Sequence, residues 1–198
     1  KINTPKSLYK TPVLVDRPKF IEGKKQFTAA ERGSIMHFIM QHLDLDRVAT
    51  REAVKQQIND MMDLELLTPE EAMAADVGII VEFFRGETGK RILSAGRVWR
   101  EVPFNFKKEA SEVVEGLDRT GETLLIQGVI DCFFEENGHW VLVDYKTDLI
   151  ETEADIARAV NNYRIQIDLY TEALEKLTGK PVGERILYLL SINRAIRL

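Results

Sequence analysis

The run LIQGVIDCFFEENGHWVLVDYKTD, residues 125–148, constrains the fold of this chain more than any other stretch. Two apolar segments flank Asn137-Gly138, the pair preferred in a two-residue type I′ hairpin turn because both residues accept positive φ. If these are the loop residues, Glu136 faces His139 and every cross-strand pair has numbers summing to 275. Asp131 then lies opposite Asp144. Carboxylates directly across an antiparallel ladder have Cβ atoms about 5 Å apart, and like charges there destabilise the pairing unless something neutralises them. Side chains alternate along a strand, so Lys146 shares a face with Asp144 and Asp131, while Tyr145 turns to the other face.

The strands around these charges are apolar: Val129-Ile130 and Cys132-Phe133-Phe134 on one, Val141-Leu142-Val143 on the other. Charged groups in such strands are costly without partners. A divalent cation between Asp131 and Asp144 meets that need, and oxygen-rich clusters suit Mg²⁺, with Mn²⁺ as the alternative. The chemistry then available is phosphodiester hydrolysis, with Lys146 orienting the nucleophile or stabilising developing negative charge. The same spacing also fits a plain Asp–Lys ion pair at a strand end, pointing into water.

The rest of the pattern divides in two. Residues 1–27 read as an extended basic arm, broken by Pro5, Pro12, Pro18 and Gly23, with a short strand at Val13–Val15. Residues 28–198 read as one domain. Its first half is helical: a helix from Thr28, capped by Thr28 with Glu31 in the capping-box position, a second over Thr50–Leu64, and a third over Pro69–Arg85 opened by Thr68. Short β-type runs follow at Arg91–Ser94, Arg97–Phe106, Thr123–Phe134 and His139–Lys146, with a polar connection around Lys107–Gly121. A long helix spans Glu153–Thr178 on an alternating four-three apolar stripe and ends at Gly179. A strand at Arg185–Ser191 and a return at Ala195–Leu198 complete an α/β fold.

Charge complicates the functional reading. The chain carries −5 overall, of which the first 27 residues contribute +5, leaving −10 for the remainder. Nucleic-acid affinity rests on Lys and Arg displacing counterions, so an acidic body points to substrate delivered by other chains or domains. The basic arm fits a nucleic acid or an acidic surface, although a solvated tail is the plainer reading. One cysteine, Cys132, leaves no cysteine-ligated zinc or iron–sulfur site within the chain. The opening residues have no apolar signal-peptide core, giving the expectation of a cytoplasmic location, and the lack of an initial methionine that of a segment cut from something longer.

Taken in order, Gly33-x-x-x-His37, Gly128-x-x-Asp131, Asp144-x-Lys146 and Gln166-x-x-x-Tyr170 resemble the motifs of the RecB-type branch of the PD-(D/E)xK nuclease superfamily. The likeness runs from about residue 28 to the C-terminus. The segments PKSLYKTPVLVDRPKF and GSIMHFIMQHLD, with no cluster cysteines, are most similar to the C-terminal nuclease domains of AddA-type subunits of bacterial AddAB helicase–nucleases. The resemblance implies a mixed sheet flanked by helices, and Mg²⁺ held by His37, Asp131, Asp144 and the main-chain carbonyl of Tyr145, without an iron–sulfur cluster. It implies Asp131, Asp144 and Lys146 as the catalytic set, with Gln166 and Tyr170 holding the site or the DNA strand. The partners implied are DNA, helicase domains of the parent chain and an AddB-like second subunit, in an exonuclease that processes double-strand breaks for recombination.

On general grounds a helical histidine beside Phe38 and Ile39 is more often packed than a ligand; family order points His37 to the metal. His42 and His139 are read as structural, and Tyr163 as part of the buried seam of the long helix. Glu101, in Arg100-Glu101-Val102-Pro103-Phe104, resembles the glutamate before the family's Pro-Phe step and is placed as a supporting or substrate-side residue, with a surface strand position as the equal alternative. The competing function is a non-catalytic DNA- or subunit-binding module that keeps the nuclease fold.

Overall fold

A computed structural model of the chain describes residues 27–112 and 121–198. The basic arm, with its expected strand at Val13–Val15, and residues 113–120 of the polar connection lie outside the described residues. Helix α1 covers Ala29–His42, with Thr28 and Glu31 forming the reciprocal capping box. Helix α2 covers Arg51–Asp63 behind the Thr50 cap. The expected helix over Pro69–Arg85 is two helices, α3 (Pro69–Ala74) and α4 (Val77–Arg85). The break is local chemistry: Ala75 is extended, and the Asp76 carboxylate accepts from the Ile79 amide as a new N-cap. The strand expected at Arg91–Ser94 is instead the end of helix α5, Glu87–Ser94, where Ile92 enters the core and Leu93 stays exposed. Two apolar residues, Ile92 and Leu93, are too few to outweigh the packing of a helix turn on α4.

Strands β1 (Val98–Glu109), β2 (Thr123–Glu136), β3 (His139–Lys146), β4 (Val182–Leu189) and β5 (Arg194–Arg197) form a sheet in sequence order. The pairing is antiparallel except between β3 and β4, which helix α6 (Glu153–Thr178) connects as a parallel crossover. Asn137 and Gly138 both have positive φ, and Glu136 pairs with His139 as the turn requires. The last strand starts and stops earlier than Arg185–Ser191, because Leu190–Ile192 wind into a 3₁₀ turn before β5. Among the described residues no helix is long and apolar enough to cross a membrane.

The sheet has a core on each face. Val141, Val143 and Tyr145 pack with Ile35, Ile39, Ile80 and Phe83 of the α1–α5 layer. Trp140 and Leu142 pack with Ile167, Tyr170 and Leu174 of α6. Period-two alternation therefore turns Asp144 and Lys146 toward α6, opposite to Tyr145.

Two irregularities open this sheet where the charged residues sit. The β2–β3 register ends at Cys132↔Val143, one step short of the expected Asp131–Asp144 pair, although β3 continues against β4 as far as Lys146↔Leu189. The β1–β2 ladder runs from Val98↔Phe134 to Glu109↔Thr123 but omits the pair Glu101↔Asp131. At that level the facing pattern slips. Phe133 and Ile130 both face α6, as do Trp99 and Val102, so each strand has two residues where alternation allows one. Glu101 takes a left-handed φ of 51°, a conformation costing a non-glycine residue about 1 kcal/mol.

Candidate metal centre

His37 reaches the gap from α1. Gly33, one turn earlier, lies against β3's extension: a Cβ there would be 3.1 Å from Thr147 Oγ1. At the other end of α1, the Arg100 guanidinium donates to the carbonyls of Met40 and Leu43 at 2.9 and 2.7 Å, fastening the helix C-terminus to β1 beside Glu101. The imidazole is thus held at both ends of its helix. Its Nδ1 lies 3.2 Å from Glu101 Oε1 and 3.6 Å from Asp131 Oδ1, and its Nε2 lies 3.1 Å from the Tyr145 carbonyl oxygen.

Both ring nitrogens therefore face acceptors, which only the doubly protonated ring satisfies. Burial alone would lower the pKa of His37, but Asp131 and then Glu101 more than reverse that and raise it to about 9. One donor atom from each of His37, Glu101 and Asp131 lies within 4.8 Å of the others. Asp131 is buried, and its Oδ2 accepts from the Tyr145 amide at 2.8 Å, a side-chain bond one step beyond the last β2–β3 pair.

Asp144 stands next to this cluster with no solvent exposure. Its Oδ2 is 2.6 Å from Lys146 Nζ, while its Oδ1 has no hydrogen-bond partner among the described residues. Burial pushes its carboxyl up to about 7, with Lys146 opposing the rise and Asp131 adding to it. Lys146 is itself nearly enclosed; burial would lower its pKa, but Asp144 and Asp131 hold it above its ordinary value. The donor set fits a hard divalent cation: carboxylate oxygens, one imidazole, a main-chain carbonyl, and a buried carboxylate oxygen whose acceptor capacity the described residues leave unmet.

Gln166 and Tyr170 pair with each other, Nε2 to hydroxyl at 2.5 Å, rather than with Asp144 or Lys146. Burial, then the charges of Asp131 and Asp144, hold the Tyr170 hydroxyl firmly protonated. Its ring meets Phe104 edge-on at 5.5 Å, over Gly128, where a Cβ would be 2.9 Å from the Phe104 ring. His42 and His139 bond to nearby carbonyls, Phe38 and Asn137, away from this cluster. Two features escaped the sequence pattern. The left-handed turn at Glu101 leaves no mark in residue type. Tyr163 lies under Lys146, Nζ to ring centroid 4.6 Å, and its place in a helical apolar stripe concealed that contact.

The titrating groups give a signed expectation for the metal-free domain. The stability supplied by charged His37 is complete below its ordinary 6.5 and is lost as pH rises through about 9. The cost of ionising Asp144 begins above its ordinary 3.8 and is fully present past about 7. The lowered carboxyls of Glu136, Glu172 and Glu184 act in the opposite sense but below about pH 5.5. In chelator, the thermal midpoint should fall from pH 5.5 to pH 9. A divalent ion should bind with proton release and recover most of that loss, read by titration calorimetry in buffers of different ionisation enthalpy.

Comparison with known proteins places the chain in a family. The chain is 48% identical over 191 residues to the A-type subunit of the ATP-dependent helicase/nuclease of Alkaliphilus metalliredigens, covering 96% of this chain and 16% of that protein. The subunit of the same name from Alkaliphilus oremlandii is 46% identical, again over 96% of this chain and 16% of the relative. That from Clostridium botulinum strain Hall is 44% identical over 92% of this chain and 14% of its own length. The chain thus spans about a sixth of the length of these relatives. The description PD-(D/E)XK nuclease superfamily matches residues 14–195, which include α1, the split sheet and α6, and to that superfamily this chain belongs.

Proposed function

We propose that this domain is a Mg²⁺-dependent deoxyribonuclease that hydrolyses single-stranded DNA within a helicase–nuclease chain, as an exonuclease fed by the helicase domains and an AddB-like second subunit. The observation that carries it is the junction of Asp144, buried with an unmet oxygen, to Lys146, Asp131 and the His37–Tyr145 carbonyl contact, inside a nuclease-family fold. A bound Mg²⁺ would supply Lewis acidity toward the scissile phosphate and the attacking water. Asp131, Asp144, His37 and the Tyr145 carbonyl would hold it, and His37 would first have to give up a proton. Glu101 accepts from the His37 ring and fixes its rotation. Lys146, released in part from Asp144, faces the negative charge that builds on the phosphate. Gln166 and Tyr170 brace the β1–β2 ribbon beside the strand path through Gly128 and Phe104. The negative balance of the body supports delivery of DNA by neighbouring domains.

The test is incubation of the domain with end-labelled linear and circular single-stranded DNA, in Mg²⁺, Mn²⁺ or chelator. Metal-dependent loss of linear substrate from an end is expected. A parent helicase–nuclease complex that unwinds and translocates normally but cuts nothing in either metal would overturn the reading in favour of a binding module.

A further inference from the structure

The Lys146 ammonium has two neighbours of different chemistry. One is Asp144 Oδ2 at 2.6 Å; the other is the face of Tyr163, 4.6 Å from Nζ to the ring centroid. The carboxylate is contested, because any divalent ion drawing on Asp144 competes with the ammonium and repels it. The aromatic face is uncontested: its quadrupole attracts an ammonium, while a hard cation seeks oxygen ligands. The ring is anchored at its far end. Its hydroxyl donates to Asp148 Oδ2 at 2.9 Å, and the Asp148 carbonyl accepts from Ser191 Oγ at 2.6 Å. Asp148 follows Lys146 by two residues, so the chain leaving the lysine is tied to the ring beneath its ammonium.

We propose that Tyr163 is a positioning residue for Lys146, its ring, fixed through Asp148 and Ser191, keeping the ammonium beside Asp144 while an ion occupies the carboxylates. The proposal rests on the nuclease reading above and deepens it. It requires the ring and only secondarily the hydroxyl, so substitutions at one position can separate the two.

The experiment compares wild type, Tyr163→Phe and Tyr163→Leu. Cleavage of single-stranded DNA in Mg²⁺ gives kcat and KM, calorimetry gives Mg²⁺ affinity, and NMR of ¹³C-lysine protein, assigned with Lys146→Arg, gives the ring-current shift of the Lys146 ε-methylene. Tyr163→Leu should lower kcat about 10-fold with KM and Mg²⁺ affinity nearly unchanged, and Tyr163→Phe should recover most of the loss. The upfield methylene shift should persist in wild type at saturating Mg²⁺, remain in the Phe variant and vanish in the Leu variant. Wild-type kcat in Tyr163→Leu, or a wild-type shift that disappears when Mg²⁺ is added, would overturn the proposal. Absence of any cleavage by the wild type would count against the nuclease reading instead, and the shift at saturating Mg²⁺ would then decide the ring's role alone.

Discussion

Asp144→Ala and Lys146→Ala should both abolish cleavage yet part company in metal binding. Each is expected to lower kcat about 10³-fold, the scale on which a preorganised charge at a reacting phosphate acts. Asp144→Ala removes a proposed ligand and should weaken Mg²⁺ or Mn²⁺ binding at least about tenfold. Lys146→Ala removes a cation that lies 2.6 Å from the Asp144 carboxylate, so on the proposed reading divalent-ion affinity should hold or rise. Parallel calorimetry and single-turnover cleavage check this. A Lys146→Ala domain that loses metal affinity as Asp144→Ala does would mean that the ammonium supports the ion site and takes no separate part at the phosphate. Cleavage that survives both substitutions would remove these residues from the reaction altogether.

Gly89→Ala should be the most damaging single methyl group in the α1–α5 layer. A Cβ on Gly89 would be 2.2 Å from the Phe83 carbonyl oxygen and 2.4 Å from the Phe84 Cα, both backbone atoms of α4 that cannot rotate away. Helix α5 would have to lift from α4, and Phe83 meets Tyr145 edge-on at 5.3 Å and Tyr188 at 4.7 Å. The disturbance thus reaches the strand that carries Asp144 and Lys146. A loss of about 3 kcal/mol or more is expected, which for a domain of this size lowers the midpoint by roughly 10 °C. Gly33→Ala offers the contrast, since its methyl would press only on the Thr147 hydroxyl, and about 1 kcal/mol is expected. Thermal unfolding at one pH, with and without Mg²⁺, ranks the two. A Gly89→Ala midpoint within about 2 °C of wild type would show that α4 and α5 are free to separate.

Elements with strong local chemistry were legible beforehand. Thr28 with Glu31, Thr68 with Pro69 and Glu71, and Gly179 at a left-handed φ of 68° fix helix ends within a few residues of themselves. The Asn137-Gly138 turn likewise fixed five pairs, from Glu136↔His139 to Cys132↔Val143. Local reading fell short where packing decides. Ile92 looks like strand until helix α5 packs on α4, and Tyr163, packed on the α6-side core as its stripe predicts, also carries Lys146 above its ring. Glu101 could be named as a site residue, but the slip in alternation that aims it at His37 belongs to two strands at once.

By itself the sequence determined the hairpin, the shared face of Asp144 and Lys146, and the order of motifs that marks the family, because turn chemistry and strand period act within a few residues. Tertiary structure alone decided that β2 pairs with β3 only from Cys132 onward, that the Asp131 carboxylate accepts from the Tyr145 amide, and that a histidine from α1 enters the gap. It also decided that Asp144 is wholly buried, with its Oδ1 unmet among the described residues. Those outcomes depend on how two layers close over a sheet, and burial and electrostatics become defined only when residues more than a hundred positions apart are packed together.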